Sequence, residues 1–251
     1  MSSPIIIGNW KMNGLTQEAK HIVSTLLTYA TNHQNFAKTV VCPPFTQLQL
    51  VKEMIESSPF GLGAQDCHFE DKGAHTGDIS PAMLQDIGVK YVVLGHSERR
   101  KDHQESNQLV LKKTIAAQNK GLLPVVCIGE TKQERETNQQ EKIVEAQLKG
   151  SLPQDFNGLV AYEPIWAIGT GLTANNDQIS EMIQFIRKKL VAQYGENGKK
   201  ISILYGGSVK PGNVRDIYAT PELGGVLVGG VSIVPDDFIK LIDIAQEFIR
   251  S

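Results

Sequence analysis

Residues 159–171 read Leu-Val-Ala-Tyr-Glu-Pro-Ile-Trp-Ala-Ile-Gly-Thr-Gly, an apolar run that ends in a carboxylate and continues into an apolar loop. The run 159–162 predicts a buried strand, and Pro164 stiffens the chain directly after Glu163. The closing glycines permit steep backbone turns and leave amides free. A carboxylate at a strand tip under such a loop suits a general base that is shielded from water. Most glutamates in such a position are solvated side chains that precede an ordinary loop. An exposed loop, however, rarely contains one Trp and two Ile in so few residues.

Apolar runs of this kind recur along the whole chain, and segments with helical periodicity lie between them. Most runs are apolar at successive positions, which predicts parallel strands that are covered on both faces. The predicted strands occupy 5–8, 39–42, 61–65, 91–95, 122–128, 159–162, 201–205 and 225–228.

The intervening helices are clearest where the apolar positions share one helical face. These faces comprise Ala19, Ile22, Val23, Leu26 and Leu27; Ile179, Met182, Ile183, Ile186 and Leu190; and Phe238, Leu241, Ile242, Ala245 and Phe248. Asn176 and Asp177 stand where an N-terminal cap is expected, and Gly88, Gly121 and Gly150 are expected to follow helix ends.

The regular alternation of strand and helix predicts an α/β protein with a single closed (β/α)8 barrel, eight parallel strands inside and helices outside. The chain contains no linker, low-complexity tract or shift in composition, so we expect one domain over residues 1–251. An open, doubly wound sheet is the alternative. Such a sheet usually has a glycine-rich turn after an early strand, whereas the first strand here ends in Gly8-Asn9-Trp10-Lys11.

Composition excludes several classes of function. A formal charge of −2 and the absence of a basic face give no support for nucleic-acid binding. Neither a secretory signal nor a run of membrane-spanning length is present, so we expect no membrane partner. Cys42, Cys67 and Cys127 are an odd, sparse set, typical of reduced thiols in a cytoplasmic protein.

Polar residues follow most of the predicted strands. In a β/α barrel the carboxyl ends of the strands meet at one rim, where the chemistry takes place. The residues expected at this rim are Asn9, Lys11, Gln65, His96, Glu98, Glu130, Glu163, Ser208, Gly229 and Gly230.

These residue types form a coherent set for proton transfer next to a carbonyl. Glu163 could remove the proton, His96 could polarise the carbonyl, and Lys11 and Asn9 could stabilise the resulting enediolate. Turns that contain Gly206-Gly207-Ser208 and Gly229-Gly230, with Gly169 in the loop, offer amides and a hydroxyl to a dianion. Each residue also has an ordinary structural interpretation. His96 could be a structural histidine with its hydrogen bonds made, Glu98 could form surface ion pairs with the arginines that follow it, and the glycine pairs could be plain turns.

Metal binding and nucleophilic catalysis are both disfavoured by the sequence. His68, His75 and His103 show no ligand spacing and have no partner cysteines, so we predict no metal site. There is no Gly-x-Ser-x-Gly elbow, and Cys127 lies inside an apolar strand.

Six motifs, in order and over nearly the whole chain, resemble the triosephosphate isomerase family. They are Gly8-Asn9-Trp10-Lys11-Met12-Asn13, Gly95-His96-Ser97-Glu98-Arg99-Arg100, Cys127-Ile128-Gly129-Glu130, residues 162–171, Tyr205-Gly206-Gly207-Ser208-Val209 and Leu227-Val228-Gly229-Gly230. The resemblance implies a TIM-barrel enzyme of glycolysis and gluconeogenesis. It would interconvert dihydroxyacetone phosphate and D-glyceraldehyde 3-phosphate without a cofactor.

The resemblance also implies roles that are known for the family. Glu163 would be the base and His96 a neutral electrophile, with Asn9 and Lys11 lining the site. A lid over about 164–174 would close on the substrate phosphate. Glu98 would support Lys11 from behind. The phosphate would be bound by Gly169, Ser208, Gly229 and Gly230, and Tyr205 and Ser208 would hold the closed lid by hydrogen bonds. Ile168 and Leu227 would press on Glu163.

The resemblance further implies a homodimer that forms through the loop 73–78. Thr76 would reach the neighbouring Asn9 and Lys11. The expected interface residues are Thr76, His75, Met12, Asp78 and Arg99. His75 and Asp78 stand where the family commonly has Phe and Glu, which places the expected pairing of Asp78 with Arg99 in question. Leu172 replaces a usual lid lysine, and Gly224-Gly225 replaces a usual Asp-Gly.

Two other functions are compatible with a barrel of this kind. One is a different barrel enzyme that acts on a phosphorylated substrate and shares only the phosphate site. The other is a barrel that binds a partner without catalysis. The joint presence of Lys11, His96 and Glu163 argues against both.

Overall fold

The computed structural model describes residues 4–33, 37–168 and 174–249. Eight parallel strands pair in chain order, and the first pairs with the last to close a barrel. The strands are β1 (Ile5–Asn9), β2 (Lys38–Cys42), β3 (Gly61–Ala64), β4 (Tyr91–Leu94), β5 (Leu123–Ile128), β6 (Leu159–Tyr162), β7 (Ile203–Tyr205) and β8 (Leu223–Val228). The predicted (β/α)8 barrel is confirmed, and every predicted strand is present with its ends shifted by no more than two residues.

Helices surround the barrel. They are α1 (Thr16–Asn32), α2 (Leu48–Ile55), α3 (Pro81–Asp86), α4 (Ser97–Asp102), α5 (Asn107–Asn119), α6 (Lys132–Glu136), α7 (Gln140–Ser151), α8 (Asn176–Tyr194), α9 (Glu196–Lys200), α10 (Val214–Tyr218) and α11 (Pro235–Glu247). Short 3-10 helices lie at Phe45–Gln47, Ile165–Ala167 and Gly230–Ile233. None of the helices that the structure describes is long and apolar enough to cross a membrane.

The strands divide their side chains between two cores, because successive residues of a strand point to opposite faces. Ile5 and Ile7 pack inside the barrel, whereas Ile6 packs against the helices. The inner core is filled by Ile5, Ile7, Val40, Cys42, Tyr91, Val93, Val125, Cys127, Leu159, Ala161, Leu204 and Leu227. Both faces of the sheet are therefore apolar, which explains why the strands read as continuous apolar runs.

The predicted helical faces are buried, but two details of the helix ends differ from the prediction. The cap of α8 is Asn175, whose side chain accepts from the Gln178 amide, and not Asn176 or Asp177. Gly150 lies inside α7 and does not follow it. Gly88 and Gly121 do follow helices, at positive φ angles of 83° and 72°, a conformation that glycine adopts without steric cost.

Closure of the barrel depends on a glycine in β8. Gly225 pairs with Ile5 and has a φ of 152°. A Cβ atom at this position would lie 2.0 Å from the Ile5 carbonyl oxygen. The register also shifts between β7 and β8 at this level. The Gly224-Gly225 pair therefore lets the last strand approach the first closely enough to pair with it.

Candidate active site

A cavity of about 490 Å³ opens at the carboxyl ends of the strands. This size is ordinary for the binding site of a small molecule. The predicted site residues that line it are Asn9, Lys11, His96, Glu163, Ile168, Ser208, Leu227, Gly229 and Gly230. The structure thus brings the predicted acid–base residues and the predicted anion-binding residues into one cavity.

Glu163 follows β6 and is only 2% exposed. Its Oε1 lies 3.0 Å from His96 Nε2, and its Oε2 accepts from the Ser97 amide at 2.9 Å. The main chain of Glu163 is fixed to the neighbouring strand, since its amide donates to the Ile128 carbonyl at 2.7 Å. Both carboxylate oxygens are therefore held by donors in a site that largely excludes water.

His96 caps the N-terminus of α4. Its Nδ1 accepts from the Glu98 amide at 3.2 Å, so the neutral imidazole carries its proton on Nε2. His96 Nε2 lies 3.0 Å from Glu163 Oε1. The helix N-terminus and the Glu98 amide both favour an unprotonated Nδ1, because a proton on Nδ1 would face the N–H group of Glu98. The arrangement presents Nε2–H as a hydrogen-bond donor to the cavity.

The two side chains shift each other's pKa in opposite directions. Burial opposes ionisation of Glu163, but the His96 charge and hydrogen bond, the Ser97 amide and Lys11 outweigh it and lower the pKa of Glu163. Burial likewise opposes the charged form of His96, but Glu163 outweighs it and raises the pKa of His96. Glu163 is consequently a carboxylate at neutral pH, as a general base must be.

Lys11 is held in an unusual backbone conformation at the tip of β1. Its φ is 55°, and its amide donates to Asn9 Oδ1 at 3.0 Å. Its Nζ forms an ion pair with Glu98 Oε1 at 2.5 Å, which places Glu98 behind the lysine. The Gln65 side chain donates to the carbonyls of Lys11 and Cys42 at 2.8 and 2.9 Å. These bonds fix a strained residue that otherwise favours other regions of φ.

The turns after β7 and β8 contribute the expected anion-binding residues to the cavity. Ser208 lies after β7, and its carbonyl accepts from the Asn213 side chain at 3.0 Å. Gly229 packs against Lys11, since a Cβ there would lie 3.0 Å from Lys11 Cε. Around Gly230 there is open space. Gly169 and Leu172, on which the lid prediction partly depends, lie outside the described residues.

The residues where the predicted lid would begin are anchored through Glu130, which follows β5. This carboxylate is fully buried, and its Oε1 accepts from Tyr162 at 3.1 Å and from Trp166 Nε1 at 2.9 Å. Burial raises the pKa of Glu130 against the effect of these bonds. Tyr205 is fully buried, and Ala174, where the described chain resumes, is buried as well. The hydrogen bonds of Glu130 therefore fix the chain just before the undescribed segment.

The sequence did not predict several contacts that shape the site. A Cβ on Gly129 would lie 1.7 Å from the Glu163 carbonyl oxygen, and a Cβ on Gly206 would lie 2.8 Å from Glu163 Cγ. The Ser97 amide holds the Glu163 carboxylate, and Gln65 holds Lys11. The glycines stood within quoted motifs, but their contacts with Glu163 depend on neighbouring strands, which composition does not show.

The residues of the expected interface are mostly at the surface. Met12 is 97% exposed, and His75, Thr76 and Asp78 are exposed in the loop after β3. Arg99 makes ion pairs within its own chain, to Asp66 at 2.8 Å and to Glu105 at 2.7 Å. Lys113 joins the same two carboxylates in a buried cluster. The pairing of Arg99 with Asp78 of a second chain stays a prediction.

Comparisons with known proteins agree with the resemblance of the motifs. The family model described as triosephosphate isomerase matches residues 4–245. The triosephosphate isomerase of Gluconacetobacter diazotrophicus is 48% identical over 243 residues, covering 97% of this chain and 98% of that protein. That of Carboxydothermus hydrogenoformans is 48% identical over 248 residues, covering 96% and 98%.

A solved structure gives the same result. The crystal structure of triosephosphate isomerase from Bartonella henselae matches with a TM-score of 0.89 and 38% identity, covering 97% of this chain and 99% of that one. The likeness extends over the whole barrel. By its sequence and its fold, the chain belongs to the triosephosphate isomerase family.

Proposed function

We propose that Glu163 and His96 carry out the proton transfers of the isomerase reaction in this chain. Family membership gives the reaction: the enzyme interconverts dihydroxyacetone phosphate and D-glyceraldehyde 3-phosphate, in glycolysis and gluconeogenesis. The observation that supports the assignment is the 3.0 Å hydrogen bond between His96 Nε2 and Glu163 Oε1 inside the cavity that Lys11 also lines.

In this proposal the carboxylate of Glu163 takes the proton from the substrate carbon next to the carbonyl. The electron pair of the C–H bond moves to form an enediolate, and the charge develops on the former carbonyl oxygen. His96 donates Nε2–H to that oxygen, while the ammonium of Lys11 and the amide of Asn9 stabilise its charge. His96 gives its Nε2 proton to that oxygen and takes the proton of the hydroxyl on the neighbouring carbon. Glu163 returns its proton to the carbon of the former carbonyl, and the oxygen that lost its proton becomes the new carbonyl.

To act as the base, Glu163 must turn from its present partners toward the substrate. It is now bonded to His96 and to the Ser97 amide. The absence of a side chain on Gly206 leaves space beside Glu163 Cγ for this movement. Closure of Ile168 over the carboxylate, against Leu227 of β8, would remove water and increase its basicity. Each step is a proton transfer between side chains and substrate, so the scheme uses neither a metal nor a cofactor.

The phosphate of the substrate is assigned to the wall that the turns after β7 and β8 form. Ser208, Gly229 and Gly230 line that wall, and their hydroxyl and amides are suited to a dianion. Gly169 would contribute a further amide from the lid, and Tyr205 and Ser208 would hold the closed lid. Lys11 and Glu98 form an ion pair on the same side of Gly229, which keeps the ammonium near the bound charge.

We also propose that the protein acts as a cytoplasmic homodimer formed through the loop 73–78. The exposed Met12 beside Lys11, and the exposed Thr76, support this arrangement. A methionine that is almost fully exposed is well suited to burial by a partner. The three cysteines are free and buried, as in proteins of a reducing compartment. No nucleic acid or membrane partner enters the proposal.

A coupled assay with glyceraldehyde 3-phosphate tests the assignment of the base. The purified protein and Glu163→Gln are compared at equal concentration, with a chelator present. Fast turnover that is lost in the variant supports the proposal, provided that circular dichroism shows the variant to be folded. A variant that retains most of the turnover would remove Glu163 from the role of base, while the isomerase activity itself would stand.

A further inference from the structure

Ser232 lies behind the turn that carries Gly229 and Gly230. Its side chain has no exposed surface, and its Oγ donates to the Gly229 carbonyl oxygen at 2.6 Å. The amide of Ser232 donates to the same oxygen at 2.8 Å. Two donors from one buried residue therefore hold the Gly229 carbonyl toward the protein interior. Because it is fully buried, Ser232 itself does not touch a ligand in the cavity.

The orientation of the Gly229 carbonyl determines where the Gly230 amide points. The two groups belong to one planar peptide unit, and none of the described peptide bonds is cis. In a trans unit the C=O and N–H bonds point in opposite directions. A carbonyl held against Ser232 thus directs the Gly230 N–H away from the interior. Gly230 lines the cavity, and a Cβ at this position would meet no atom within 4 Å, so the amide is directed to open space.

This peptide unit needs a constraint because a glycine stands at each end of it. Glycine adopts a wider range of backbone angles than other residues, so the Gly229–Gly230 unit can rotate at little steric cost. Rotation would turn the carbonyl oxygen, which repels an anion, toward the cavity and the N–H away from it. The hydrogen bonds from Ser232 oppose that rotation.

Ser232 is itself fixed between β1 and α11. A Cβ on Gly8 would lie 2.8 Å from Ser232 Cβ and 3.0 Å from Phe238 Cζ, so the two side chains fill the space that this glycine leaves. Phe238 is fully buried in α11. Gly8 directly precedes Asn9 in β1, the strand that leads to Lys11. The packing of Ser232 on Gly8 therefore sets the position of the turn relative to Asn9 and Lys11.

We propose that Ser232 is a positioning residue for the phosphate of the substrate. Its hydroxyl locks the Gly229–Gly230 peptide unit in the orientation that presents the Gly230 N–H to the dianion. Because the proposed function assigns the phosphate to this turn, the role of Ser232 rests on that proposal. Ser232 acts through the turn and takes no part in the proton transfers. Loss of the hydroxyl should therefore weaken phosphate binding and leave Glu163 and His96 in place.

Ser58 offers a matched control for the loss of this hydroxyl. Its amide and its Oγ both donate to the Ile55 carbonyl oxygen, at 2.9 and 2.8 Å, three residues earlier in the chain. The same pattern joins Ser232 to Gly229. Neither Ser58 nor Ile55 is among the described residues that line the cavity. Ser58→Ala thus removes an equivalent hydrogen bond at the end of α2, away from the site.

The test is an NMR titration of the ¹⁵N,²H-labelled full-length protein with inorganic phosphate, at pH 7 and constant ionic strength. In wild type the amide resonance of Gly230 should move as phosphate is added. Ser232→Ala should raise the dissociation constant of phosphate about fivefold, as expected for the loss of one hydrogen bond. Ser58→Ala should bind phosphate like wild type. A Gly230 resonance that does not respond in wild type, or equal dissociation constants for wild type and Ser232→Ala, would overturn the role of Ser232.

Steady-state kinetics distinguish positioning from a general loss of stability. Ser232→Ala should raise KM for glyceraldehyde 3-phosphate by a similar factor, with a smaller change in kcat, because binding is weakened and the acid–base groups are unchanged. An equal rise of KM in Ser58→Ala would contradict the positioning role. A wild type without isomerase turnover would instead refute the proposed function, whereas the phosphate titration does not depend on turnover and tests Ser232 by itself.

Discussion

His96 Nε2 lies 3.0 Å from Glu163 Oε1, so the proposed electrophile and the proposed base are hydrogen-bonded to each other in this structure. The Ser97 amide holds the second carboxylate oxygen at 2.9 Å. The base is therefore stored in an ionised form and must exchange two protein donors for the substrate before it can act. The catalytic power of the site depends on how well the carboxylate is placed after that exchange.

The length of the side chain at position 163 should be critical. We expect Glu163→Asp to lower kcat by about a hundredfold or more, with little change in KM, because the carboxylate is withdrawn by about 1 Å. Steady-state kinetics in both directions of the reaction measure the effect. Glu181→Asp, the same change at an exposed position on α8, is the control and should be near normal. Near-normal kcat in Glu163→Asp would contradict the assignment.

The empty space beside the base should also be necessary. In Gly206→Ala the new Cβ would lie 2.8 Å from Glu163 Cγ, so the carboxylate must shift. We expect kcat to fall at least about tenfold, since small misplacements of a catalytic group are costly. Gly212→Ala is a matched control in the same loop region, because its Cβ would meet no atom within 4 Å. Equal kcat in the two variants would show that Glu163 does not need this space.

Acid should destabilise the protein partly through Glu163. Because its pKa is lowered from the ordinary value of 4.5 on folding, Glu163 contributes stability above about pH 4.5. That contribution is lost as the pH falls through the pKa of the folded state. We therefore expect the urea midpoint of wild type to fall more steeply below pH 4.5 than that of Glu163→Gln. Parallel curves for the two proteins between pH 5 and the acid transition would be evidence against this contribution.

Charge at the exposed Met12 should prevent the proposed dimer. Met12 is 97% exposed in a single chain, and Met12→Lys would place an ammonium where a partner is expected to pack. Sedimentation velocity should show monomers of the variant at concentrations where wild type is dimeric. Ile115→Lys changes another exposed apolar residue, on α5, and should leave the dimer intact. A wild type that sediments as a monomer would refute the interface directly.

The sequence by itself was sufficient to predict the barrel and most of the site residues that line the cavity. The apolar runs 39–42 and 159–162, covered on both faces, could only be buried strands, and the polar residues that follow them had to meet at one rim. Lys11, His96 and Glu163 were found in this way, because each stands within two residues of the end of a strand. The local pattern was less exact at helix ends, where Asn175 takes the cap that was assigned to Asn176 or Asp177.

Only the tertiary structure decided which side chains touch. The bond from the Ser97 amide to Glu163 spans 66 positions in the chain, and the Gln65 bond to Lys11 spans 54. Such contacts depend on strand register and on loop paths, which carry no local signal. The ion pairs of Arg99 with Asp66 and Glu105 within the chain also could not be predicted from the sequence.

The loop after β3 is the clearest case of this limit. Its histidines have no recognisable ligand spacing, and the sequence predicted no metal site there. That absence stays a prediction, but the fold fastens His68 to Ile79 and so brings His68, His75 and Asp78 close together. Periodicity reports which residues are buried, because burial follows the geometry of a single helix or strand. Contacts between residues that are distant in the chain form only when the barrel closes, so the tertiary structure alone decides them.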